Sequence, residues 1–363
     1  AVARFWNNDS ALCLALTDEA IDIARRSGDA SALAEALIAQ LNVMSRPAFL
    51  HRQLELSDEI ARLAYESGNL NLIFLALLFR MEEYIARGDS GGMRHDLPEI
   101  RRIAEELRQP PERSFVMMID ATSLLFQGKI AEAARVGREA LDLGALGGDP
   151  YYQITRTLHR YGVFYEQQKL ERLEDEIRHL AETHRPGSMW FCALANLCSL
   201  IGKTDEARNL FEALALGSFA SVSQDFGWPT SMYHLSDLCV RLGDAKRAAL
   251  LYEQLLPHAK RNMVFSWMAF YGSVSRCLGL LAATMGNRER ASEHFEDAIQ
   301  SSRALGATLW TARARCDYAR FLLAGGEPEQ QAKARAMIDR VTLQIAEMDS
   351  ACLAAEVASL AAS

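Results

Sequence analysis

The sequence predicts an all-α protein: a right-handed superhelical solenoid of antiparallel helix hairpins. It reads as one continuous array over residues 1–363, with a place for subdivision near 217–228. Three observations carry this. First, four stretches repeat one pattern: Gly128 to Ala133 (GKIAEA), Gly202 to Ala207 (GKTDEA), Gly243 to Ala248 (GDAKRA) and Gly286 to Ala291 (GNRERA). In three of them an aromatic follows four residues after the alanine (Phe211, Tyr252, Phe295), with Leu214, Leu255 or Ala298 three beyond. The glycine ends one helix in a left-handed turn, the alanine lets two helices approach closely, and the aromatic fills the space beneath. Second, the turn position recurs at a steady interval. It falls at Gly28, Gly68, Gly88, Gly128, Gln168, Gly202, Gly243, Gly286 and Gly326, and most steps lie near 40 residues, as helix–turn–helix repeats require. Third, alanine and leucine dominate the segments between these turns, and alternating β-branched runs are scarce.

The elements follow in order. Residues about 9–27 and 30–45 form a first hairpin around Gly28-Asp29, and 48–67 and 70–87 a second around Gly68-Asn69. Segments 90–108 and 112–127 follow, then 130–144 and 150–168, then 170–184 and 188–201. The series continues with 204–216, 229–242, 245–259, 263–285, 288–305, 308–324, 328–347 and a short tail at 350–361. Pro47, Pro110, Pro111, Pro150, Pro186, Pro229, Pro257 and Pro328 fall near starts or ends, where a missing amide hydrogen costs little. Two connections are long: Gly144 to Pro150, and Gly217 to Trp228. The second holds Phe219, Phe226 and Trp228 among serines and is expected to pack down on the array, with a contact surface as the alternative.

Composition narrows the function. With 39 Lys and Arg against 47 Asp and Glu the formal charge is −8, which argues against a nucleic-acid surface built from clustered basic residues. The mixed run Arg94 to Arg113 reads as a solvated helix face. Seven cysteines without a C-x-x-C pair read as reduced, buried thiols of a cytoplasmic protein. Ala1 to Ser10 lacks the basic start and apolar centre of a signal peptide, and the opening at Ala1 suggests a fragment or a processed chain. The run Leu70 to Phe79 is too short to span a bilayer, and 263–286 carries Arg276 at its centre, so no membrane association is expected.

Leu278-Gly279, Gly286, Ala291, Phe295 and Ala298 together resemble the tetratricopeptide pattern of Leu-Gly in a first helix and Ala, aromatic, Ala in a second. The runs 242–262 (LGDAKRAALLYEQLLPHAKRN) and 294–326 (HFEDAIQSSRALGATLWTARARCDYARFLLAGG) resemble the C-terminal repeat region of large bacterial signalling ATPases. In that group the repeats follow an AAA-like NTPase module, joined to a class III adenylate/guanylate cyclase or to a LuxR-type helix-turn-helix. The resemblance implies the sensor or scaffold arm of a signal-transduction or transcription-regulating protein. No cyclase, NTPase or DNA-binding segment lies within the 363 residues, so those activities do not pass to this chain.

The catalytic and metal-binding motifs in the sequence are incomplete. Gly202-Lys203-Thr204 ends like a phosphate-binding loop, but the glycine needed at position 197 is Leu and the triplet follows a helix. His179 and His184 are not at i,i+4 spacing and read as solvent-facing at a helix end. Gly272-Ser273-Val274-Ser275 reads as helix interior rather than a nucleophile elbow. No catalytic residue, metal or cofactor is therefore expected. What remains is a concave groove lined by the first helix of each pair: Met118 and Thr122, Asn196, Tyr233 and Asp237, Ser273 and Arg276, Arg313 and Arg320. Such side chains suit a protein segment, a peptide or a small effector, and oligomerisation is open. The expected function is recognition without catalysis. The alternatives are a free-standing adaptor that assembles proteins and, more weakly, an enzyme with a site of dispersed groove residues.

Overall fold

The computed structural model describes residues 10–44, 47–146, 152–266 and 268–362; the expected opening at Ala1 and the helix start at Pro150 lie outside them. The described residues form 18 α-helices and one two-stranded sheet. The helices up to the first long connection are α1 (Ser10–Ser27), α2 (Ala30–Met44), α3 (Gln53–Ser67), α4 (Leu70–Arg87), α5 (Ser90–Leu107), α6 (Pro110–Phe126) and α7 (Ile130–Leu146). Then come α8 (Tyr152–Glu166), α9 (Glu174–Thr183), α10 (Met189–Leu200), α11 (Thr204–Ala215), α12 (Trp228–Leu242) and α13 (Ala245–Leu255). Strands β1 (Asn262–Phe265) and β2 (Ala269–Ser273) precede α14 (Val274–Thr284), α15 (Arg288–Leu305), α16 (Thr308–Leu323), α17 (Pro328–Ile345) and α18 (Ala351–Ala361).

Nearly every helix packs on its neighbour in sequence, and one local device repeats at the joints. The turn glycines 28, 68, 88, 128, 202, 243, 286, 306 and 326 all have positive φ, and Gln168 takes the same left-handed conformation (φ 55°). At five joints the glycine is followed by Asp or Asn, whose side chain caps the next helix. Asp29, Asn69, Asp89, Asp244 and Asn287 each accept at least one amide of the first turn. A Gly-Asp or Gly-Asn pair thus stops one helix and starts the next. Beneath the joints, Ala133, Ala207, Ala248, Ala291, Phe211, Tyr252 and Phe295 are buried, and the ring of Phe295 lies against Gly279.

The sequence reading of 263–285 as one helix is corrected. Asn262 to Ser273 is instead an antiparallel hairpin, pairing Asn262 with Ser273, Val264 with Phe270 and Phe265 with Ala269 around a bulge between Asn262 and Val264. Its strands hold three aromatics, Phe265, Phe270 and Tyr271, and every strand position is buried, which suits a pleated ribbon packed on both faces. Gly272 has φ +86°, and a Cβ there would meet the Trp310 ring at 2.6 Å, so glycine lets the indole close onto the strand. Ser273 ends the strand and caps α14, accepting the Arg276 amide at 3.2 Å, so 272–275 is a strand-to-helix junction rather than helix interior.

The hairpin is wedged among helices distant in sequence: β1 against α4 and α12, β2 against α8, α14 and α15. At its base Asn262 Nδ2 donates to the Ile85 carbonyl (2.8 Å), and Arg261 grips Glu83 through two bonds of 2.9 and 2.8 Å. At its tip the hydroxyls of Thr122 and Thr155 donate to the Met268 carbonyl (3.3 Å) and Sδ (2.8 Å). Beyond it the chain folds back, α16 meeting α6 and α18 meeting α8. Asp349 accepts the Ile130 and Ala131 amides at the start of α7, while its own amide donates to the Gly128 carbonyl. One apolar core runs through the described chain from Ile21 to Leu360.

Candidate functional site

The residues expected to line an open groove are nearly all interior. Met118, Thr122, Asn196, Tyr233, Ser273, Arg276 and Arg313 are buried, Asp237 is largely covered, and only Arg320 keeps about half of its side chain in solvent. The reason is the hairpin, which fills the space that the first helices were expected to leave open. Thr122 meets its tip, Ser273 is its last residue, and Tyr233 lies on it with ring centroids 4.7 Å from Tyr271.

The charged members are tied to partners. Arg276 Nε donates to Asp317 (2.7 Å) with its guanidinium over the Trp310 ring, and Asp237 accepts from Arg241 (2.9 Å). Burial pushes the Asp237 carboxyl up, but Arg241 and Arg276 outweigh it and hold it below its usual range. Arg313 donates to Glu166 (2.6 Å) and Tyr165 (3.2 Å) between the Tyr165 and Trp310 rings, and Ser350 completes Glu166 at 2.6 Å. Arg320 bridges Asp317 and Glu356. Asn196 lies 3.3 Å from the ring of His234, whose pKa burial drives down to about 3. Seated arginines and matched carboxylates of this kind set a packing geometry and leave no free charge for a ligand.

The aromatic connection is also packed down. Phe219 and Trp228 are buried, Phe219 sits 5.7 Å from Phe211, and Phe226 sits 5.1 Å from Phe265 of the hairpin. Lys203 of the Gly202-Lys203-Thr204 turn pairs with Glu174, and His179 and His184 are exposed. The cysteines of the described chain are thiols rather than disulfides, with Cys352 half-buried and the others buried; burial pushes the Cys192, Cys239 and Cys277 thiols up to about 12. Among the described residues no group of three or more His, Cys, Asp or Glu could hold a metal ion. No helix there is long and apolar enough to cross a membrane.

Open space lies elsewhere. A cleft of about 320 Å³ runs between α4, α5 and α6 and is flanked by the α15–α16 turn. Its floor is apolar: Met81 and Ile85 from α4, Met93 and Leu97 from α5, Ile119 and Phe126 from α6. Its rim holds Arg94 and the Arg101–Asp120 pair, in which Arg101 Nη1 donates to Asp120 at 3.0 Å beside a second, shorter bond. The Arg94 side chain is exposed and makes no hydrogen bond or ion pair with the described residues. Of the predicted residues only Thr122 reaches this cleft. The run Arg94 to Arg113 does carry a solvated face, where Arg102 pairs with Glu99 and Glu106, but its start opens onto the cleft. Met93 and Leu97 at i,i+4, flanked by Arg94 and Arg101, form a second apolar edge beside the core stripe of Ile100 and Ile103, and that is the signal the sequence offered. Two smaller cavities of about 50 Å³ lie on either side of the hairpin, one by Glu82 and Arg261, the other by Tyr161 and Trp310. No protein-family model and no curated protein matches the chain.

Proposed function

We propose that the chain is a non-catalytic binding module, a right-handed superhelix of tetratricopeptide-like antiparallel hairpins whose ligand occupies the cleft between α4, α5 and α6. The observation that carries this reading is the cleft itself. Its volume of about 320 Å³ falls within the range of small-molecule sites, and its apolar floor with a few polar groups at the rim is the usual composition of one. The recurring left-handed turns and the packing of nearly every helix on the next support the repeat architecture. The resemblance of 242–262 and 294–326 to the repeat arm of bacterial signalling ATPases supports a sensor or scaffold role in a larger regulator.

The cleft also offers a mechanism for sensing. Leu305 and Gly306 flank it, so a ligand held there touches α4 to α6 and the distant α15–α16 turn together. It would favour whichever packing keeps those parts adjacent, and an attached module would read that shift. A thermal-shift screen of small metabolites on the full chain tests the proposal, since a ligand that binds only the folded state raises the melting temperature. The shift produced by any hit is expected to vanish in Leu97→Trp, which extends an indole across the floor. A shift that persists in that variant would place binding outside the cleft.

A further inference from the structure

We infer that the cleft takes an amphipathic organic monoanion, a carboxylate on an apolar body of about ten non-hydrogen atoms; this rests on the reading of the cleft as the binding site. The size follows from the volume, since about 320 Å³ is the share of roughly ten water-sized groups. The apolar body follows from the floor, where Met81, Ile85, Ile119 and Phe126 are buried residues exposing only an edge, and Met93 and Leu97 are half-buried. Two of these are methionines, whose unbranched thioethers adapt to chains of varied shape.

The sign of the ligand follows from an account of every charge that lines the cleft. Helix α4 contributes none, and neither do Leu305 and Gly306. Helix α6 contributes Asp120, which Arg101 of α5 engages through two hydrogen bonds. Asp89, just before α5, is occupied in capping the Gly91 and Gly92 amides. The uncommitted charge is the Arg94 guanidinium. A cation would meet it as a like charge, and a neutral ligand would leave it partly desolvated without a partner. A carboxylate accepts two of its N–H groups in the fork geometry that arginine presents. A phosphate dianion would call for further donors, and the cleft has no second free cation among the described residues. The ligand's acid group therefore sits at the rim on Arg94, with its body directed over Met93 and Leu97 toward Phe126.

The test compares sodium octanoate, 1-octanol and acetate by calorimetric titration of the full chain, with the wild type, Arg94→Gln, Leu97→Trp and Met93→Trp. Octanoate is expected to bind the wild type with a Kd of about 1 mM or tighter, at least tenfold below that of octanol, and acetate not to bind. Arg94→Gln, at an exposed position, should keep the wild-type melting temperature, weaken octanoate roughly tenfold and leave octanol unchanged. Both cleft-filling variants should remove both ligands, and the half-buried Met93 site serves where Leu97→Trp fails to fold. Equal affinity for octanoate and octanol, or an Arg94→Gln variant that binds octanoate as well as the wild type does, overturns the anion while leaving the cleft as the site. Octanoate binding that survives both fillings in folded protein, or no binding of either eight-carbon ligand, overturns the cleft as well.

Discussion

Arg276 and Asp317 show what a buried charge does in this molecule. Both side chains are almost fully covered and bonded at 2.7 Å, so removing Asp317 leaves the buried Arg276 guanidinium without its carboxylate. Asp317→Ala should therefore cost about 3–5 kcal/mol by urea unfolding. Arg320→Ala, which removes a half-exposed partner of the same carboxylate, should cost under about 1 kcal/mol. Comparable losses in the two variants would mean that Asp317 is far better solvated than its burial indicates. The histidines carry a pH dependence of definite sign. Burial lowers His159 from 6.5 to about 4 and His234 from 6.5 to about 3. Below pH 6.5 the unfolded chain binds protons at these positions that the folded chain does not, so stability should fall as pH drops from 6.5 toward 3. Burial, with Glu83 beside it, raises Glu82 to about 7, against opposing pulls from the Ser266 amide and Arg261. The folded state then holds a proton there that the unfolded state has already lost, so this group removes stability as pH rises from 4.5 through 7. His234→Gln should flatten the acid limb and Glu82→Gln the neutral one in unfolding curves taken from pH 4 to 8. An unchanged profile in both variants would refute this assignment.

At the scale of elements, a helix joint depends on how closely two helices can cross. Ala291 is fully buried beside Phe295, which in turn lies on Gly279, so a larger side chain has no space to enter. Ala291→Leu should overpack the α14–α15 joint and cost about 1–3 kcal/mol, measured as a loss of urea stability. Glu289→Gln on the exposed side of α15 should change almost nothing. The β-hairpin obeys a different rule, because its strands are held by partners from distant helices. Its bonds to Ile85, Glu83 and Thr122 reach back well over a hundred residues, so its form depends on helices already in place.

Across the whole molecule, the fold-back of the last helices rests on few polar contacts. Asp349 caps α7 from a distance of more than two hundred residues, and Glu166 gathers Arg313 and Ser350. Asp349→Ala should cost about 0.5–2 kcal/mol, the usual worth of a helix cap. Hydrogen exchange should then quicken in α18 and in the first turn of α7, with α1 to α4 unaffected. Exchange that rises evenly along the chain would show that the α18 contact is not a local unit of stability.

By itself the sequence determined the helices and their joints. Glycine or Gln168 in the left-handed turn, the capping Asp or Asn after it, and the alanine and aromatic beneath act within a few residues, so their spacing is written in the chain. The mixed run from Arg94 likewise revealed a solvated face, though not the cleft at its start, because a cleft exists only where α4, α6 and the α15–α16 turn come alongside. Tertiary structure alone decided the fate of the expected groove. Asn262 to Ser273 is apolar enough to continue a helix, and only burial among α4, α8, α12 and α15 makes a two-faced ribbon the better packing. Once that ribbon is in place, Tyr233, Arg276 and Arg313 have no solvent to face. Helical periodicity tells which side of a helix a residue occupies, and the tertiary packing decides what covers that side.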